Sequence, residues 1–120
     1  MVEIQQTERP FNLDLNEIGL LVVAGIPAFN EEKTIARVVL EAQKHADIVM
    51  VCDDGSTDLT GEIAERLGAV VISHEENLGY GAALQSLFKR AMELKVDVLV
   101  TLAIETDNLV SSTGSVISIL

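Results

Sequence analysis

The stretch IVMVCDDGSTDLTGEIAERLGA, Ile48 to Ala69, carries an apolar run straight into two adjacent aspartates and a glycine. A carboxylate at such a point can accept hydrogen bonds from the N–H or O–H groups of a ligand, and its charge makes those bonds stronger and more selective. Two other stretches are built alike. LLVVAGIPAFNEEK runs into Pro27, Ala28, Phe29, Asn30 and Glu31, and HEENLGYG places Asn77, Gly79 and Gly81 ahead of an amphipathic segment whose first amides are able to face an anion. Each motif also has a purely structural reading. Asp-Gly-Ser-Thr-Asp is a common turn and helix cap, and Asn-Glu starts helices. Gly79-Tyr80-Gly81 lacks the third glycine of the dinucleotide fingerprint and no Walker lysine follows a glycine run, so nicotinamide and P-loop readings have little support.

Positioning these residues requires strands that alternate with helices. Leu20 to Ile26 is a continuous apolar run, as a strand covered on both faces should be, and Pro27 is expected to stop it. Asn30 is expected to cap a helix carrying Ile35, Val38, Val39 and Ala42 on one face, with Glu31 and Glu32 in its first turn near the positive end of the dipole. Ile48 to Cys52 reads as a second strand, Thr57 or Asp58 as the cap of a second helix, and Gly68 as its C-terminal glycine. Ala69 to Ser73 is a third strand. A third helix carries Ala83, Leu84, Leu87, Phe88 and Ala91, and Val96 to Leu102 is a fourth strand. This alternation implies right-handed crossovers and a mostly parallel sheet flanked by helices, an α/β fold. The chemically distinctive residues then fall together at the carboxyl ends of the strands, where ligands of such sheets bind.

Composition narrows the partners. At 120 residues the chain is one domain or part of one, and 48% hydrophobic content excludes disorder. Eight basic residues scattered among nineteen acidic ones, a net charge of −11, exclude nucleic acid as a non-specific partner. The longest nearly unbroken apolar run, Ile18 to Phe29, contains two glycines and a proline and is too short to span a bilayer. Residues 1–18 lack the basic and apolar regions of a secretory signal and read as a polar, mobile leader. The single cysteine, Cys52, precludes an internal disulfide, suits a cytoplasmic location and reads as an inert core residue.

Taken together, AGIPAFNEEKTIARVVLEA, IVMVCDDGSTDLTGEIAERLGA and NLGYGAALQSLFKRAMELKVDVLVTL, in this order and spacing, resemble the N-terminal half of family 2 glycosyltransferases. NLGYGAAL is most similar to the branch of polyprenyl-phosphate and dolichyl-phosphate mannosyl and glucosyl transferases. The resemblance implies a Rossmann-like GT-A fold, truncated to its nucleotide-binding half over residues 19–102. It implies transfer of a sugar, in the complete enzyme, from a nucleotide-diphosphate donor to an acceptor such as a polyprenyl phosphate at the cytoplasmic membrane face. Carried over residue by residue, it puts Asp54 against the base and leaves Asp53 to hold the loop. Phe29 packs on the base, and Pro27 and Ala28 shape the backbone beside the nucleoside. Glu31 orients the loop, reaches the ribose or simply complements the helix dipole, and Asn77 and Gly79 border the sugar-diphosphate path. His74, Arg37, Lys89 and Arg90 are expected at the surface.

The departures from the family matter as much. The complete family member holds Mg2+ or Mn2+ through D-x-D at the tip of the fourth strand. Here Ala103-Ile104-Glu105 stands at that place, so this chain is expected to bind no metal, and without the acceptor half it shows no catalytic residue and is expected to be inactive. Residues 103–120 are expected to be an aberrant tail. Codons compatible with Ala103 to Leu109 read Asp-Arg-Asp-Gly-Gln-Pro in another frame, which suggests a frameshift; a divergent terminus or cloning artefact is the alternative. The isolated strand VLVTL is expected to keep an open edge and to promote self-association. The rival functions are a non-catalytic nucleotide-binding or regulatory module and a nucleotidyltransferase, although GIPAFNEEK offers no glycine-rich loop for the latter.

Overall fold

The computed structural model describes residues 3–5, 19–104 and 116–119. Strands β1 (Glu3–Gln5), β2 (Val22–Ala28), β3 (Ile48–Asp54), β4 (Val70–His74), β5 (Val98–Thr101) and β6 (Val116–Ile119) make one sheet in the spatial order β1-β6-β5-β2-β3-β4. Helices α1 (Ile35–Gln43), α2 (Thr60–Arg66) and α3 (Tyr80–Glu93) connect the middle strands. The four central strands β5, β2, β3 and β4 are parallel, while β6 and β1 are antiparallel to their neighbours.

Side-chain alternation divides the core into two layers. Ala24, Ile26, Ala28, Val49 and Val51 face α1 and α2, meeting Ile35, Val38, Val39, Ala42 and Ala64. Val23, Met50, Cys52 and Leu99 point the other way and pack against Ala83, Leu87 and Ala91 of α3. The helices thus lie on both faces, as the unbroken apolar strands require. The chain moves from β2 to β3 and β4 on one side and then returns past β2 to β5. This reversal opens the carboxyl edge between β2 and β5, the usual position of a ligand crevice.

At the opposite edge, the amides that open β2 are capped from two loops. Asp97 Oδ2 accepts from Leu21 N at 2.7 Å and Asp47 Oδ2 from Val22 N at 2.8 Å. The strand therefore starts with its donors satisfied.

Four expectations require correction. β2 does not stop at Pro27 but continues to Ala28. Gly25 O accepts from Leu102 N on the β5 side, and Pro27, two residues on, points the same way after β5 has ended at Thr101, so its missing N–H costs no ladder bond. Asn30 does not cap α1. It adopts φ +51°, the carbonyl of Glu31 accepts the amides of Thr34 and Ile35, and α1 begins only at Ile35. The N-terminal leader contributes a strand, because Glu3–Gln5 pairs with β6 and supplies partners for its backbone. Finally, β5 keeps no open edge: β6 pairs along it from Val98 to Thr101. The rest of the expected leader and the tail residues 105–115 and 120 lie outside the described residues.

Candidate functional site

At the carboxyl edge the loops after β2 and β3 are stitched together. Asn30 N donates to Ser56 Oγ at 2.9 Å, and Asn30 Oδ1 accepts from Thr57 N at 2.9 Å. Glu31 N donates to Thr60 Oγ1 at 2.8 Å. Two further bonds cross between the loops: Glu32 N donates to Asp58 Oδ2 at 3.2 Å, and Leu59 N donates to Glu32 Oε2 at 3.0 Å. Glu32 therefore complements the start of α2 and not that of α1. The carboxylate of Asp58 also takes the amide and hydroxyl of Thr60, a side chain with no exposure. Burial opposes ionisation of Asp58, but the bonds from Thr60 and Glu32 outweigh it and hold its pKa below the ordinary carboxylate value. Asp58, one of the two caps expected from sequence, thus takes up the first amide of α2.

The paired aspartates point to opposite faces of the sheet. Asp53 lies on the α2 side, its Oδ1 accepting from Ser56 N at 3.1 Å. Its Oδ2 lies against Gly61 and meets no hydrogen-bond donor among the described residues. Asp54 faces α3 and is 4% exposed. Its Oδ1 accepts from Leu78 N and from His74 Nδ1, both at 2.8 Å, and its Oδ2 from Gly79 N at 2.9 Å. Burial pulls the Asp54 pKa upward, yet the His74, Leu78 and Gly79 bonds prevail and hold it below the ordinary value.

Asp54, assigned to the base, has both oxygens engaged by His74 and the loop amides, whereas Asp53 Oδ2 meets no donor among the described residues. His74, expected at the surface, is largely enclosed between Asp54 and Ser86, whose Oγ lies 2.7 Å from His74 Nε2. Register placed it there: His74 pairs with Asp54 across β3 and β4.

The other candidate residues occupy the same edge. Pro27 and Ala28 are buried at the tip of β2, and Ala28 pairs with Asp53. Phe29 follows them with 44% of its surface exposed. Glu31 turns its carboxylate to Thr34 Oγ1 at 3.0 Å, consistent with an orienting role in its loop. Asn77 is exposed and Gly79 adopts φ +102° just before α3. Arg37 on α1 and Lys89 and Arg90 on α3 are exposed. Sequence reasoning missed Ser56, Thr60, His74 and Ser86. The available signals were the polar turn Ser56–Thr60 facing Asn30–Glu32 and the position of His74 at the end of a strand aligned with Asp54.

Comparison with known proteins accords with this geometry. The sequence profile "Glycosyl transferase family 2" matches residues 24–100. The UDP-N-acetylglucosamine--dolichyl-phosphate N-acetylglucosaminyltransferase of Methanococcus voltae is 36% identical over 99 residues, covering 68% of this chain and 39% of that protein. The dolichyl-phosphate hexose transferase of Haloferax volcanii is 42% identical over 69 residues, covering 56% of this chain and 29% of its own length. Among solved structures, glucosyl-3-phosphoglycerate synthase from Mycobacterium tuberculosis, in complex with Mn2+, uridine diphosphate and glucosyl-3-phosphoglycerate, matches with a TM-score of 0.64 and 27% identity. That match covers 82% of this chain and 40% of the synthase. The chain spans 40% or less of the length of these three relatives. With a profile match over more than half its residues and the sheet and helices of the GT-A glycosyltransferases, the chain belongs to glycosyl transferase family 2.

Proposed function

We propose that this chain is the donor-nucleotide-binding portion of a family 2 glycosyltransferase that, complete, transfers a sugar from a nucleotide diphosphate to a lipid-phosphate acceptor. The observation that carries this reading is the pairing of Ala28 with Asp53. It brings to one end of the sheet the exposed Phe29, which follows Ala28 in the chain, and Asp53, whose Oδ2 meets no donor among the described residues, next to the crevice at the strand ends. In the proposed complex the Phe29 ring packs on the base and Asp53 Oδ2 accepts from the base or ribose, while Pro27, Ala28 and Glu31 shape the surrounding backbone. Asn77 and Gly79 border the diphosphate, their loop held from behind by Asp54. The names of the Methanococcus and Haloferax relatives support a dolichyl-phosphate type of acceptor, and with it work of the complete enzyme at a membrane face. Among the described residues no helix is long and apolar enough to cross a membrane.

Glucosyl-3-phosphoglycerate synthase was solved with Mn2+, but the residues at the tip of β5 do not fit a divalent cation. Leu102 and Ile104 pack against the α1 and α2 core, and Ala103 offers no donor. This favours a second reading for the chain by itself, a nucleoside-binding module without transfer activity.

Calorimetric titration of the 120-residue chain with uridine and guanosine diphosphates, with and without Mn2+, tests both readings. One nucleotide is expected to bind with the same affinity in either condition. Absence of binding by both at millimolar concentration refutes nucleotide recognition, and strong enhancement by Mn2+ refutes the metal-free module.

A further inference from the structure

Ser86, His74 and Asp54 form a hydrogen-bonded line that ends on two loop amides. A carboxylate only accepts, so the 2.8 Å contact with Asp54 Oδ1 places the imidazole proton on Nδ1. In the neutral ring Nε2 is then the acceptor, placed to take the Ser86 hydroxyl at 2.7 Å. The thiol of Cys52 lies 3.7 Å from the same nitrogen and is fully buried behind it. From Asp54 the line divides, Oδ1 to Leu78 N and Oδ2 to Gly79 N.

The order Ser, His, Asp matches that of a hydrolytic triad, but the surroundings do not. Ser86 lies in the middle of α3, where the helix engages its own amides, and the loop amides of Leu78 and Gly79 are taken by Asp54, so neither offers a donor to an oxyanion at Ser86.

We propose that His74, backed by Ser86, is a positioning residue for the loop from Asn77 to Gly79. A carboxylate turns easily about its last torsion. The imidazole holds Asp54 in the single orientation that meets both amides, and Ser86 fixes the imidazole in turn. Gly79, at φ +102°, has no side chain to hold its own backbone, so the loop depends on this external clamp. The consequence for ligand binding rests on the reading that this loop borders the diphosphate.

The test is amide hydrogen exchange of the full chain by NMR, with uridine diphosphate affinity measured in parallel. His74→Leu is expected to accelerate exchange at Leu78 and Gly79 by about tenfold, the scale of one hydrogen bond, while Val51 and Leu99 keep their protection. His74→Asn retains a donor at the Nδ1 position and is expected to restore slow exchange. Ser86→Ala is expected to give a smaller acceleration at the same two amides. Unchanged exchange in His74→Leu, or His74→Asn as fast as His74→Leu, overturns the proposal. Should His74→Leu fail to fold, Ser86→Ala decides, and no change there overturns it. If the wild type binds no uridine diphosphate, use of that nucleotide fails while the exchange result still judges the clamp. If the wild type binds and a folded His74→Leu binds equally well despite a loosened loop, the link to the diphosphate is wrong.

Discussion

Gly55 and Glu76 pack backbone against backbone. A Cβ built on Gly55 would overlap the carbonyl carbon of Glu76 and come within 2.8 Å of its Cα, and Gly55 itself sits at φ +76°. The turn after β3 and the loop before α3 are therefore pressed together at the site edge. Gly55→Ala is expected to destabilise the fold by about 2–4 kcal/mol, since it combines backbone strain with a clash that only movement of the 75–79 loop relieves. Gly81 is the control. It lies in α3 with nothing near its missing Cβ, so Gly81→Ala is expected to stabilise by about 0.5–1 kcal/mol. Urea unfolding of the two variants should move the midpoint in opposite directions.

The low pKa of Asp54 predicts acid sensitivity. Unfolded, the carboxyl titrates near about 3.9; folded, it holds its proton less tightly, so its contribution is complete above that value and is lost as pH falls through the folded pKa. Asp58 acts with the same sign. Asp54→Asn is expected to cost about 1–3 kcal/mol at neutral pH and to flatten the decline of stability below about pH 4. Unfolding curves at pH 7 and pH 3 for both proteins give the comparison; equal acid slopes would contradict the assignment.

Cys52 is predicted to be silent. Burial, then the charges of Asp54 and Asp53, push its thiol up to about 11, and none of it is exposed. Iodoacetamide at pH 8 should modify it only in denaturant. Rapid labelling of the native chain would show that the α3 layer opens readily.

Phe29 and Asp53 should separate binding from stability. Phe29 is exposed, so Phe29→Ala is expected to change stability by less than about 0.5 kcal/mol. Its loss of base packing should weaken nucleotide binding by about 0.5–1.5 kcal/mol. Asp53→Ala should cost about 1–3 kcal/mol of affinity by leaving a ligand donor unpaired. If calorimetry finds both affinities unchanged in a chain that binds nucleotide, the proposed base site is misplaced.

The strands and helices were legible because each carries its own periodicity: Ile35, Val38, Val39 and Ala42 mark one helical face, and LLVVAGI can only be a covered strand. The candidate residues stood out because they lie at or just beyond strand ends, Ala28 closing β2 and Asp54 closing β3. Which way each of the paired aspartates faces was not legible. Whether Asp53 or Asp54 faces α3 depends on pleat parity at the end of β3, and one residue of register exchanges the two. His74 was missed because its partners lie 20 residues back and 12 residues ahead, a relationship set by strand pairing and helix packing. The antiparallel strands β6 and β1 gave no usable pattern, being four and three residues long.

The carboxylates of Asp47 and Asp97, which cap the opening amides of β2, lie at the end of the sheet remote from the candidate site. Their arrangement separates the part of the chain that anchors the strands from the part that meets a ligand. Substitutions among Phe29, Asn30, Ser56 and Asn77 leave these anchors untouched, so the specificity of this edge can diversify while the strand starts stay in place. A library randomised at the carboxyl edge should thus yield far more folded members than one of equal size that includes Asp47 and Asp97.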